Sequence, residues 1–370
     1  MNNRKKRPRI GIITFHRAIN YGAILQAYAL QEAFEKMGCE CNIIDYRNAL
    51  IESLHKKSIL ADCRNLKDIG RFIFYSKYQN EKFKKFREFA STRLSLSHAY
   101  YSIDELRKET SEYDRFICGS DQVWNCKNTN FDKSYFLDFT DNTLKKNSYA
   151  ASFGFSGIPS EYTEEYRTLL KDFNNISVRE WQGNQIISNL IGKNVEVVLD
   201  PTMLIKKLEW ERIAEDYKKK TNYILLYAFS RVSTTMKMFI EKLSRQTGCE
   251  IVYISHSLLN PIKATYEKCV GPTEFLGLFK DARYIVTNSF HGTAFSIIFN
   301  KDFFLEMLPE SQGVNSRLDN ILDVFGLKKR QIVKGENDFI DEPVDYNKVN
   351  QKLLIERQKS LEFLNRIVEI

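Results

Sequence analysis

Short apolar strand patterns alternate with helical ones along most of this chain, and that alternation predicts parallel α/β architecture. Arg9 to Phe15 reads as a strand, Ala23 to Met37 as an amphipathic helix closed by Gly38, and Cys41 to Asp45 as the next strand. Together they make one βαβ unit. A long helical stretch from Leu66 to Phe89 follows, then strand patterns at Arg115 to Cys118, Ser148 to Phe153, Ile176 to Val178 and Val195 to Leu199, with a helix at Trp181 to Leu190. Asp200-Pro201 ends this first set.

A second set starts after a helix around Leu208 to Lys219 and an exposed junction at Lys218 to Asn222. Its strands read as Tyr223 to Phe229, Glu250 to Ile254, Tyr284 to Thr287 and Asp302 to Leu305. Helices near Thr234 to Thr247 and Thr273 to Asp281 lie between them, and Asn347 to Ile370 is one more helix. A chain of 370 residues with 43% hydrophobic content is too long for one ordinary core. Two doubly wound domains are expected, with ligand bound where their strand C-terminal edges face each other.

Several classes drop out. No apolar run approaches the roughly 20 residues that span a bilayer, and Ile10 to Phe15 is too short for a signal-peptide core. A cytoplasmic protein is expected. Seven scattered cysteines with no C-x-x-C pair predict reduced thiols and no zinc site. No other metal-binding cluster has plausible spacing. The net charge of +8 gathers at Arg4 to Arg7, Lys82 to Arg87, Lys218 to Lys220 and Lys328 to Arg330. These are solvated faces, or an attraction to anionic substrate or lipid. Nucleic acid is not expected, because no zinc finger, RNP-like strand or helix-turn-helix accompanies the charge.

Three loops carry chemistry. Thr287-Asn288-Ser289-Phe290-His291-Gly292-Thr293 joins a strand to a helix-compatible run from Thr293 to Phe299. Such a junction aims backbone N–H groups and a helix dipole at an anion, and an imidazole there can move protons near neutral pH. His291 could equally be a hydrogen-bonded structural residue. The loop Thr14 to Ala23 follows the first strand and opens a helix, but lacks G-x-G-x-x-G, so dinucleotide binding gains no support. In Gly119-Ser120-Asp121-Gln122, Gly119 permits a tight turn and the polar residues suit a polyol or proton transfer; Ser120 or Asp121 could also simply cap a helix.

Asn20-Tyr21-Gly22-Ala23-x-Leu25-Gln26-Ala27-Tyr28-Ala29-Leu30, Gly119-Ser120-Asp121-Gln122-Val123-Trp124, Ser177-Val178-Arg179-Glu180, Asp200-Pro201-Thr202 and Ser289-Phe290-His291-Gly292 together resemble the polysaccharide pyruvyl transferases. The resemblance runs from the first strand to a helix near Val314. It implies two Rossmann-like domains facing a cleft, similar to GT-B glycosyltransferases. Residues 1–207 would form the acceptor side and 208–345 the donor side, with a C-terminal helix at 346–370. It further implies phosphoenolpyruvate as donor, a sugar of a cell-surface glycan or its lipid-linked precursor as acceptor, and no nucleotide, metal or redox cofactor.

On that resemblance His291 is the general acid and Asp121 orients or deprotonates the acceptor hydroxyl. Ser289, with the backbone N–H groups of Gly292 and Thr293, holds the donor's anionic groups. Arg179 grips the donor bidentately, against a simple ion pair with Glu180 as the alternative; Lys301 and Arg317 are further clamp candidates. Asn20, Tyr21, Gly22 and Ser120 line the acceptor side. The aromatic residues Phe72, Phe83, Phe86 and Phe89 make a core-facing stripe or, if exposed, a basic helix suited to docking at the inner membrane face. Two competing functions stay open: sugar transfer from a nucleotide donor, and glycan or anion binding without turnover.

Overall fold

Ile10 and Ile12 of β1 (Arg9–Ile13) point into one core and Ile13 into another, the period-two alternation of a strand covered on both faces. In this computed structural model the described residues are 7–54, 66–155, 157–217, 222–229, 231–255, 262–309, 315–333 and 342–369, with side chains of the helix Leu66–Arg93 described from residue 76. The basic stretch Arg4 to Lys6, the lysines 218–220, Val314 and the Phe72 side chain lie outside them.

β1 runs parallel to β2 (Glu40–Tyr46) and to β4 (Arg115–Cys118); β3 (Leu96–Tyr100) and β5 (Lys146–Ser148) complete a sheet of order β3-β2-β1-β4-β5. A pair, β6 (Ser177–Val178) and β7 (Glu196–Val197), continues it through single bridges at Asn147–Asn175 and Ala151–Val178. The second sheet repeats the pattern: β8 (Tyr223–Tyr227), β9 (Glu250–Ile254), β10 (Thr265–Glu267), β11 (Tyr284–Thr287) and β12 (Asp302–Leu305) lie in the order β10-β9-β8-β11-β12, all parallel. Each sheet therefore has a switch point, between β1 and β4 and between β8 and β11, where the outgoing loops diverge and leave a crevice. The expected pair of Rossmann-like units is present.

The edge strands β3 and β10 are absent from the sequence reading because their residues alternate weakly and are only half-buried. Ser148 to Phe153 forms a strand only to Ser148, and the helix expected to reach Lys219 ends at Ile213. Past Ile213 the chain runs against the helix Pro272–Asp281, where Glu215 N–H donates to Thr273 O. A Cβ on Gly277 would stand 1.6 Å from Glu215 O, so that approach requires glycine.

The two halves share one continuous core. Tyr21 stacks on Phe275 with ring centroids 4.3 Å apart, and its hydroxyl donates to Val270 O at 2.9 Å. Emptying this contact with Tyr21→Ala costs about 3–5 kcal/mol, as for other large aromatic deletions. Lys85 of the helix Leu66–Arg93 pairs with Glu274, tying that helix to the second unit. Phe86 and Phe89 face inward against Tyr21 and Tyr28, so these two belong to the core-facing stripe. The C-terminal helix Tyr346–Val368 begins on the second unit, where the Tyr346 hydroxyl donates to Ser296 O, and returns to the first, where Leu199 N–H donates to Ser360 Oγ at 3.0 Å. Among the described residues, no helix is long and apolar enough to cross a membrane.

Candidate active site

Both switch points open onto one cavity of about 260 Å³. Phe15, Ala18 and Asn20 come from the loop after β1, Asp121 and Gln122 from the loop after β4. Opposite them stand Phe229 after β8, Asn288 to His291 after β11, and Arg317 on the helix Ser316–Phe325.

The wall from the second unit is built around two unpaired groups. Ser289 caps the helix Phe290–Ile298, its side chain accepting from Gly292 N–H at 3.4 Å, so the helix starts three residues before the expected Thr293. His291 therefore sits in the first turn, at the positive end of the helix. Its Nε2 is 3.6 Å from Asp200 Oδ2, too long for a hydrogen bond, and has no other partner. The Arg317 side chain is half-buried, with Nε itself out of solvent and no carboxylate within ion-pair distance among the described residues. With the Gln122 amide oxygen turned toward it, Nη1 and Nη2 donate at 3.0 and 3.2 Å, and Nε donates to nothing. Burial and the neighbouring Arg179 pull its pKa down to about 10, so the cation is retained at neutral pH but poorly compensated.

The first unit answers with a cluster in which one arginine faces three acids. Arg179, 2% exposed, places Nη1 2.9 Å from Asp200 Oδ2, Nη2 3.6 Å from Asp121 Oδ1 and Nε 3.8 Å from Glu180 Oε2. Its guanidinium stacks on Phe290, 4.6 Å from the ring centroid. Asp200 also accepts from Ser120 Oγ at 3.2 Å, Thr202 Oγ1 at 2.7 Å and Thr202 N–H at 3.0 Å. Burial alone would raise its carboxyl; His291, Arg179 and Thr202 outweigh that and hold it well below the usual range. Glu180 goes the other way: burial raises it more than Arg179 and Arg317 lower it, and while Oε1 accepts from Ser152 Oγ at 2.7 Å, Oε2 is unpartnered.

Asp121 occupies the cavity wall with φ of +72°, a left-handed conformation that non-glycine residues adopt at a cost of about 1 kcal/mol or more. Ser152 N–H donates to Asp121 O at 2.9 Å and helps hold the turn. Behind it, Gly119 at φ +114° passes so close to Tyr149 O that a Cβ would stand 2.4 Å away. The tight turn expected at Gly119 is thus required twice over.

The cavity wall collects His291, Asp121, Ser289, Arg317 and Asn20 of the sequence candidates. Asn20 also caps its helix, accepting from Ala23 N–H at 3.2 Å. The others sit elsewhere. Tyr21 is buried in the joint between the units, and Ser120 is wholly buried, donating to Ala150 O at 2.9 Å. Gly22 lies against the His291 ring. Thr293 N–H is consumed by the helix, donating to Ser289 O at 2.9 Å, and Gly292 N–H is taken by the Ser289 cap. The N–H groups ahead of them, of Phe290 and His291, are the ones that precede the helical ladder. Lys301 lies past the far end of a nine-residue helix, which advances about 13 Å, among Lys207, Lys280, Asp281 and Glu211. Arg179 lies behind Phe290, in contact with acids instead of open space.

Asp200, Glu180 and Gln122 carry most of the polar framework; the sequence offers Glu180 as an ion-pair partner of Arg179 and Gln122 as one polar residue of its loop, and places Asp200 in a motif without a role. The available signal was their place: an acid directly after an apolar strand pattern, an acid beside Arg179, and an amide beside Asp121. No group of three or more potential metal ligands occurs among the described residues.

An acid-base pair and an unpaired cation at facing switch points suit a small anionic substrate. A sequence model for polysaccharide pyruvyl transferases matches residues 20–305, a span that includes all five motifs. The chain belongs to the polysaccharide pyruvyl transferase family. Membership makes it a transferase that acts in pyruvylation of polysaccharide. A search of curated proteins gave no significant match. Among solved structures the family member is similar to a UDP-N-acetylglucosamine 2-epimerase from Rickettsia bellii, at 10% identity over 98% of this chain and 99% of that one, TM-score 0.48. A UDP-GlcNAc 2-epimerase from Neisseria meningitidis bound to UDP-GlcNAc shows 11% identity over 99% and 94%, TM-score 0.48. The glycosyltransferase SnogD from Streptomyces nogalater shows 10% identity over 97% and 96%, TM-score 0.43. The GT-B-like assignment rests on the strand order and facing edges described above.

Proposed function

We propose that this transferase moves pyruvate from phosphoenolpyruvate to two hydroxyls of one sugar, forming a ketal on a cell-surface polysaccharide or its lipid-linked precursor. The observation that carries the donor is Arg317: a half-buried cation with no carboxylate in ion-pair distance among the described residues, its buried Nε without a hydrogen-bond partner, on the wall of a cavity that also receives the N-terminus of the helix Phe290–Ile298. Such a group is costly until an anion arrives, and phosphoenolpyruvate brings a phosphate and a carboxylate. His291 stands beside it as proton source. Protonation of the methylene carbon leaves a cationic C2, and the first sugar hydroxyl bonds to it and gives up its proton. Displacement of phosphate by the second hydroxyl then closes the ring, so atoms and charge balance as ketal plus inorganic phosphate.

Asp121 is the carboxylate on the cavity wall that can take or orient the acceptor proton, and Asn20 supplies a neutral hydrogen-bonding group beside it. Asp200, held as an anion, stands 3.6 Å from His291 Nε2 and does not line the cavity. The chemistry calls for no further cofactor. Mass spectrometry of candidate glycans incubated with enzyme and phosphoenolpyruvate tests the reading: a ketal-linked pyruvate on the acceptor with equimolar phosphate is expected. Phosphate-free turnover of a nucleotide sugar, with phosphoenolpyruvate untouched, would overturn it.

A further inference from the structure

His291 belongs to the second unit, yet the surface it rests on belongs to the first. Gly22 is the second residue of the helix Tyr21–Lys36, and a Cβ there would stand 1.9 Å from His291 Nδ1, 2.3 Å from Cε1 and 2.4 Å from Cγ. Unbonded carbon and ring atoms settle at about 3.5 Å, so any side chain at residue 22 would push the imidazole back by roughly 1.5 Å. On its other side the ring meets Asp200, whose own position is fixed by Arg179, Ser120 and Thr202. Retreat from Gly22 therefore changes the one charged contact of Nε2. Nothing in the backbone demands glycine here: helical φ suits alanine, and alanine in a helix is favoured by about 0.5–1 kcal/mol.

We propose that Gly22 is a positioning residue for His291: its missing side chain lets the first unit hold the imidazole in the proton-transfer position, so that the acid is assembled from both units. This rests on the reading of His291 as proton donor. Displacing a reacting group by about 1 Å can cost 10²-fold in rate, while donor binding through Arg317 is untouched.

The test is Gly22→Ala in the full chain, with the exposed, unencumbered Gly157→Ala as control. Turnover with phosphoenolpyruvate should fall at least about 10-fold with KM for the donor within about threefold. The His291 ring signals of ¹⁵N-histidine-labelled protein, assigned by their loss in His291→Gln, should shift in Gly22→Ala and stay put in Gly157→Ala. On a His291→Ala background there is no ring to displace, so adding Gly22→Ala should leave Tm unchanged or slightly raised. Wild-type turnover and an unmoved ring signal would overturn the proposal, as would an equal loss of Tm on both backgrounds, which would make Gly22 a packing residue for the backbone. If wild-type protein leaves phosphoenolpyruvate unchanged while the ring signal still shifts, the positioning stands and the reaction assigned above falls.

Discussion

Two arginines stand side by side in this cleft and behave oppositely. Arg179 faces Asp121, Glu180 and Asp200, whereas Arg317 donates to a glutamine amide and has no carboxylate within ion-pair distance among the described residues. The first arrangement already surrounds its cation with acids. The second feels Glu180, Asp121 and Asp200 only at a distance, too weakly to offset its burial and the neighbouring Arg179, which is the condition a ligand can relieve. Resemblance to a family weighs the two arginines in one direction and geometry in the other: Arg179 sits in a family motif, but Arg317 sits on the cavity. In this cleft, pairing separates the residue that holds the site together from the residue proposed to hold the donor.

The largest effect should come from the group that reacts. His291→Gln preserves shape and some hydrogen bonding but cannot deliver a proton, so turnover should drop at least about 10²-fold while calorimetric affinity for phosphoenolpyruvate stays within a few-fold. Near wild-type turnover would remove His291 from the chemistry; lost binding with an intact fold would move it to the anion clamp.

Arg179→Met sharpens the contrast from the structural side. It strands Asp200 and Glu180 in the interior, and breaking a buried pair in this way costs about 3–5 kcal/mol. A large fall in Tm is expected. A variant that melts like wild type but no longer binds donor would show that Arg179, and not Arg317, is the ligand's arginine.

A smaller effect concerns acid. Because folding depresses the Asp200 carboxyl, its contribution to stability is complete above the unfolded value of about 4 and is lost as pH falls through the folded value. Thermal melts between pH 5 and pH 2 should fall more steeply for wild type than for Asp200→Asn. Parallel curves would mean that the pair with Arg179 and His291 is not formed in solution.

Much of this was legible in the amino-acid pattern. The runs at Arg115 to Cys118, Glu250 to Ile254 and Asp302 to Leu305 are buried on both faces, and such strands announce themselves as unbroken apolar segments. Ser289 and Asn20 stand out in their loops, but their place as helix caps comes from the structure, where Gly292 N–H and Ala23 N–H donate to them. The side of a loop that faces the cavity was not legible. Ser120 and Asp121 are neighbours, and only the left-handed backbone at Asp121 sends one inward and the other to the wall. Tyr21 and Gly22 follow Asn20 directly, yet the helix rotates them toward Phe275 and His291, partners about 250 and 270 residues away. Long-range partners of this kind leave no periodic trace, and for that reason the contacts of Asp200 with Ser120 and His291 and of Gln122 with Arg317 came only from the fold.

The account turns on Arg317, and calorimetry of phosphoenolpyruvate binding to wild type and Arg317→Met tests it most directly. Methionine fills the space and removes a half-buried charge that repels the neighbouring Arg179, so the variant should melt no lower than wild type. Loss of two charge-assisted hydrogen bonds, each worth about 1.5–3 kcal/mol, predicts donor affinity weaker by at least about 100-fold. An Arg317→Met protein that binds phosphoenolpyruvate as wild type does would contradict the claim that the unpaired arginine of this cleft is the donor's site.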